Sequence, residues 1–173
     1  RIAAGTFLAA ILSTKGSGIV NGINPEHLPM ELKKLGEMGA KIDSTETSIN
    51  IEYRDNLQSI ELSTLPFPGI ATDLQPIFGS ALLLAEGTSI LTENVYDQRF
   101  QWIPEVQRMG ANIQTGWQHA MIKGVKTLSG APVHATDIRT GASLVIAALQ
   151  ADGLSTITGC LLYTSPSPRD RVQ

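Results

Sequence analysis

The chain has 173 residues, 42% of them apolar and 17% charged, with a formal net charge of -3. That is long and apolar enough for one globular domain with a real core, and it rules out a disordered chain or one with a basic nucleic-acid groove. A local anion site stays open. No apolar run approaches the length of a membrane span. Longest is Ala81-Leu82-Leu83-Leu84-Ala85, which stops at Glu86-Gly87. The start, Arg1-Ile2-Ala3-Ala4-Gly5, has no initiator Met and no signal-peptide pattern. It reads as a fragment that begins mid-gene, from a cytoplasmic protein. The single Cys, Cys160, excludes an internal disulfide and a cysteine-rich metal site.

Taken in order, the predicted elements repeat. The first unit (about residues 1–71) opens with an inner helix carrying the small residues Ala9 and Ala10, ended by a turn at Gly16-Ser17-Gly18. A short β-branched strand follows at Ile19-Val20. Leu28, Leu32, Leu35 and Met38 then share one face of an amphipathic helix, with Asn24 as its cap, Pro25 at its first position and Gly39 at its C-terminal left-handed position. Ile49, Ile51 and Tyr53 alternate as a strand. Leu65-Pro66-Phe67-Pro68-Gly69 forms a stiff loop. The second unit (72–135) runs through an apolar helix from Leu74 to Ala85, a strand at Ile90-Leu91, a helix around Pro104 and a strand at Met121–Val125. The third (136–159) is cut short after a helix that includes Ser143 to Leu149.

Self-similarity supports this division. Lys34–Asp43 aligns with Glu105–Gln114 at an offset of 71, and Gly16–Val20 meets Gly87–Leu91 at the same offset. Such periodicity marks a repeated supersecondary unit that buries its apolar face only against its neighbours. The expected fold is α/β, with parallel inner helices packed through small side chains and mixed sheets outside. From Cys160 to Asp170 the pattern breaks. That Pro/Ser-rich stretch resembles a translated sequencing adapter, so residues 160–173 are read as a non-native tail.

Two tetrapeptides carry the chemical candidates: Ala71-Thr72-Asp73-Leu74 and Ala135-Thr136-Asp137-Ile138. Thr72 fits an N-cap, with Gln75 completing a capping box, so Asp73 falls in the first helical turn. There the helix dipole and free N–H groups favour an ionised carboxylate, which can accept a hydroxyl's hydrogen bond and take its proton. Asp137 behind Thr136 repeats the arrangement, and Arg139 follows where it could orient Asp137 or hold an anion. For a single such Asp, ordinary helix stabilisation is the simpler explanation; the repeat of Ala-Thr-Asp behind a rigid Pro-Gly loop brings the chemical reading level with it. The second candidate is the strand-to-helix loop Asn94–Phe100, a common place for ligands; within it Asp97 and Arg99 could be no more than a surface ion pair. His27, His119 and His134 lack metal-ligand spacing, and the last two fall in expected turns. No phosphate-binding Gly loop or nucleophile elbow occurs. Trp102 and Trp117 are read as packing residues. No cofactor and no metal is expected.

Together these segments resemble the enolpyruvyl transferase family, and within it the UDP-N-acetylglucosamine 1-carboxyvinyltransferases. The resemblance runs through Gly5-Thr6-Phe7-Leu8, Pro68–Gln75, Ala85–Thr88, Thr92–Phe100, Pro104–Ala111, Leu128–Ala131 and Ala135–Leu144. It implies an inside-out α/β barrel of repeats, here incomplete, and UDP-N-acetylglucosamine and phosphoenolpyruvate as small-molecule substrates, in peptidoglycan synthesis. Neither nucleic acid nor membrane is an expected partner. By the resemblance Asp73 binds the sugar 3-hydroxyl and is its general base, and Asp137 is the second carboxylate at the reaction centre. Val95 contacts the UDP-sugar through its backbone, and Arg99 and Arg139 line the cleft facing a second domain of the same enzyme that these residues lack. That domain's loop would bring a Cys acid, and nothing around Cys160 matches it. Ala71, Tyr96 and Asp97 depart from the usual Pro, Phe and Glu, which bears on fine substrate geometry. Two other readings stay open: the sister enzyme acting on 3-phosphoshikimate, and a non-catalytic repeat scaffold.

Overall fold

The computed structural model describes residues 1–159; the expected adapter tail lies outside them. The first unit comprises α1 (Ile2–Ser13), β1 (Ser17–Asn21), α2 (Pro29–Glu37), β2 (Ala40–Ser44), β3 (Ser48–Tyr53) and β4 (Glu61–Ser63). The second comprises α3 (Gln75–Ala81), β5 (Thr88–Thr92), α4 (Ile103–Arg108), β6 (Asn112–Thr115), β7 (His119–Lys123), β8 (Leu128–Ser129) and β9 (Pro132–His134). The third holds α5 (Ile138–Gln150), β10 (Ala151–Asp152) and β11 (Thr156–Thr158). The offset of 71 is kept in three dimensions: β1 and β5 correspond residue for residue, and β3 and β7 begin at equivalent positions.

Antiparallel pairing orders the first sheet β1-β3-β2, and a second, mixed sheet runs β4-β5-β7-β6. β4 belongs to the first unit by sequence but pairs in parallel with β5 of the second. The parallel pairs β8–β10 and β9–β11 tie the second unit to the third in the same way. These pairings join strands far apart in sequence.

Helices α1, α3 and α5 pack on one another. Every residue of α3 is buried. Close approach depends on small side chains: a Cβ on Gly5 would stand 2.9 Å from the Leu74 side chain, and one on Gly79 would strike the Trp102 ring. Leu28, Leu35, Met38, Ile49 and Ile51 are fully buried, as the periodicity predicts, each contributing about 1.5–3 kcal/mol. Gly39 has φ +104°, the left-handed region assigned to it.

Local readings differ at several points. Asn24 caps a 3-10 turn, Pro25–His27, and α2 starts four residues later at Pro29. Proline lacks an N–H and is suited to a first turn, so Pro29 sets the boundary. Ser17 and Gly18 belong to β1 rather than to a helix-ending turn. His119 and His134 lie in strands β7 and β9, and Trp117 is 91% exposed at the β6–β7 turn while Trp102 is the core residue expected. Among the described residues no helix is long and apolar enough to cross a membrane.

Candidate functional site

Thr72 is not an N-cap. Residues Thr72–Leu74 form a 3-10 turn capped by Ala71, and the Thr72 side chain makes no capping bond. Instead its Oγ1 accepts from Arg99 Nε at 3.1 Å. Pro76 explains the difference, since it fits only the first helical turn and so starts α3 at Gln75. Asp137 is itself the N-cap of α5. Its Oδ1 accepts from the N–H groups of Arg139 (2.7 Å) and Thr140 (3.0 Å), and its Oδ2 from the Thr140 hydroxyl (2.8 Å). The two aspartates are therefore related by sequence but not by local geometry.

They are nonetheless joined. Arg139 Nη2 donates to Asp73 Oδ2 at 3.0 Å while its backbone N–H holds Asp137. Arg99 Nη2 donates to Asp73 Oδ1 at 3.2 Å. So Arg99 pairs with Asp73, and not with Asp97 as spacing suggested. The pairing is not a buried salt link, because the Asp73 side chain keeps 33% of its exposure. Arg99 also lies over the Tyr96 ring, 4.7 Å from its centroid, and with Tyr96, Gln98, Gln101 and Asp137 it lines a cavity of about 290 Å³.

Charge follows from this geometry. Partial burial works against ionising Asp137, but the Thr140 and Arg139 N–H groups, the Thr140 hydroxyl and the Arg99 charge outweigh it and hold the carboxyl below the usual aspartate value. A carboxyl lowered in the folded state stabilises the fold above the ordinary carboxylate range, and this is lost as pH falls through the depressed value. Asp137→Ala should cost about 1 kcal/mol at neutral pH, the usual size for an N-cap. Urea unfolding should show the gap to wild type closing in acid.

The loop bearing Val95 rests on a residue that pattern reading missed. Glu93 is fully buried, and its Oε1 accepts from the Thr64 hydroxyl (2.6 Å) and from the N–H groups of Val95 (2.9 Å) and Tyr96 (3.0 Å). The Val95 N–H is thus engaged within the protein. A Glu directly after a strand and before an exposed loop was the available signal. No group of three or more metal-binding side chains occurs among the described residues.

Residues 1–163 match the family model of EPSP synthase (3-phosphoshikimate 1-carboxyvinyltransferase). The chain is 44% identical over 158 residues to UDP-N-acetylglucosamine 1-carboxyvinyltransferase of Thermotoga maritima and 42% identical over 153 residues to that of Mycobacterium leprae. These alignments cover 91% and 88% of the chain but only 38% and 37% of the relatives. Among solved structures, the enolpyruvyl transferase NikO from Streptomyces tendae superposes with a TM-score of 0.81 at 24% identity, over 91% of this chain and 38% of that one. EPSP synthase from Acinetobacter baumannii gives 0.75 at 21% identity, over 94% and 42%. At such identities the likeness concerns the fold alone.

Proposed function

The chain belongs to the EPSP synthase (3-phosphoshikimate 1-carboxyvinyltransferase) family, and from that premise we propose that it is part of a UDP-N-acetylglucosamine 1-carboxyvinyltransferase. The reaction moves the enolpyruvyl group of phosphoenolpyruvate onto the sugar 3-hydroxyl. A C–O bond forms at that oxygen, the enol carbon loses its bond to phosphate, and phosphate leaves. Asp73 binds the hydroxyl and takes its proton, and Asp137 is the second carboxylate at the centre. Arg99 and Arg139 face the anionic groups, and the Val95 carbonyl meets the UDP-sugar. In the whole enzyme this segment completes an inside-out α/β barrel facing a second domain. The acid for the enol carbon comes from that domain, so this chain alone is inactive. Cytoplasmic peptidoglycan synthesis is the matching setting.

The observation that carries this reading is Arg139, whose side chain holds Asp73 while its backbone N–H holds Asp137. Asp73 already has a guanidinium N–H on each oxygen, leaving a second lone pair on each for the hydroxyl. An arriving anion competes for the same arginines, and any bond they transfer to it frees the carboxylate to accept the proton.

Relatives 40–44% identical carry the UDP-sugar enzyme's name, which favours it over the sister reaction. Calorimetric titration of the complete protein decides between them. UDP-N-acetylglucosamine should bind and 3-phosphoshikimate should not; the reverse result would transfer the assignment to the sister enzyme.

A further inference from the structure

A glutamate stands where the helical period of α2 calls for an apolar residue. Glu31 lies three residues after Leu28 and four before Leu35, and like them it is fully buried. Neither carboxylate oxygen has a hydrogen-bond partner. Its one ion pair among the described residues is with Arg1, whose Nη1 stands 4.0 Å from Oε1 and also lacks a hydrogen bond. The Arg1 guanidinium in turn lies 5.2 Å from the centroid of the Phe67 ring. Phe67 is 61% exposed and sits in the loop that leads to Asp73.

We propose that Glu31 is a positioning residue: through Arg1 and Phe67 it braces the 65–71 loop and thereby sets the turn that carries Asp73. The loop's own bonds, Leu65 N–H to Ile70 O and Gly69 N–H to Pro66 O, fix its internal shape, and fully buried Ile70 anchors its C-terminal base, but neither reaches the exposed tip at Phe67. One base is tied through Thr64, to Thr92 and Glu93. The tip is held by the cation over Phe67. An ammonium or guanidinium over an aromatic face is attracted by the ring quadrupole, more so when partly desolvated. Arg1 is 23% exposed and would be free to turn to water without a counter-charge behind it. Glu31 supplies that charge. Replacing a buried ion by a well-packed apolar residue commonly stabilises a fold, so a glutamate here carries a stability cost that its positioning role accounts for. Burial pushes the Glu31 carboxyl up, against the pull of the Arg1 charge.

Only the catalytic consequence rests on the proposed function; the brace itself does not. Hydrogen exchange by mass spectrometry on the 173-residue chain tests the brace. Glu31→Leu should leave or raise the urea midpoint, yet speed exchange of amides in 65–73 several-fold, with β5 and β7 unchanged. Arg1→Ala should give the same local effect, and the double variant no more than either single. Unchanged exchange at 65–73, or acceleration spread over the whole chain, would overturn the brace. Glu31→Gln, closer in shape, serves if the leucine variant does not fold. In the complete enzyme the same variants should lower kcat about tenfold with the KM for UDP-N-acetylglucosamine held. A looser loop with unchanged kcat would overturn the link to Asp73. A wild-type enzyme that does not turn over these substrates would count against the proposed function, and the exchange result would still stand.

Discussion

Asp73→Asn in the complete transferase should lower kcat by about 10²–10⁴-fold, the range for removing a positioned general base, with UDP-sugar affinity nearly unchanged. The substitution keeps the shape of the side chain and one carbonyl oxygen. It removes the negative charge that Arg99 and Arg139 share and the capacity to accept a proton. An amide NH₂ facing either guanidinium would donate toward a donor, so one of the two bonds to Asp73, at 3.2 and 3.0 Å, must break. The measurement is phosphate release in the steady state, beside calorimetric binding of UDP-N-acetylglucosamine. If binding holds and turnover collapses, the group acts on the transition state rather than on ground-state affinity. Undiminished turnover would return the chain to the scaffold reading, in which both aspartates only stabilise helix starts.

Where sequence reading succeeded, one physical rule governed the outcome. Strands β1 and β5 correspond at the offset of 71 read from the sequence. Strand β3 was legible because burial alternates along it: Ile49 and Ile51 point into the core and Asn50 and Glu52 away from it. Helix starts were less legible, because two signals competed. Asn24 and Thr72 are both good caps in isolation, but Pro29 and Pro76 dictate where each α-helix can begin. Asp137 has no proline after it, and there the carboxylate takes the cap.

The site divides similarly. Asp73, Asp137, Arg99 and Arg139 come together around one set of ion pairs and hydrogen bonds, yet spacing alone pointed Arg99 toward Asp97. Its actual partner lies 26 residues away in sequence, a contact made by packing the 3-10 turn at Arg99–Trp102 against the start of α3. Glu93 and Glu31 were harder to read for another reason: their positions, after a strand and on the apolar face of α2, were the only signals. Charged residues at a loop edge and within an amphipathic helix are usually solvated, so those signals carry weight only once the fold shows both residues buried.

Trp102→Ala should be the most damaging single change to stability. Trp102 is fully buried at the end of the 3-10 turn that begins with Arg99. Its Nε1 donates to Gln75 Oε1 at 3.1 Å, and its ring fills the space opposite Gly79. Truncation to alanine costs about 3–5 kcal/mol through lost burial and the cavity left behind. The Gln75 carbonyl, buried without its donor, adds about 1–3 kcal/mol. Against a total stability of about 5–15 kcal/mol, the fold would be left marginal. Trp102→Phe keeps a six-membered ring but loses the N–H and the pyrrole part of the indole, so its loss should be smaller than that of the alanine variant. Gly79→Ala approaches the same contact from the other side. Its Cβ would meet the Trp102 ring and come within 3.1 Å of Leu91, so one of two packed elements must shift. Urea unfolding followed by far-ultraviolet circular dichroism is the suitable readout, because one of the two tryptophans is the residue removed and the other, Trp117, is exposed. The same turn holds Arg99, and Gln75 stands two residues after Asp73, so this contact also sets the spacing between Asp73 and Arg99. A Trp102→Ala chain as stable as wild type would mean that α3 and the Arg99 turn are held together by something other than this indole.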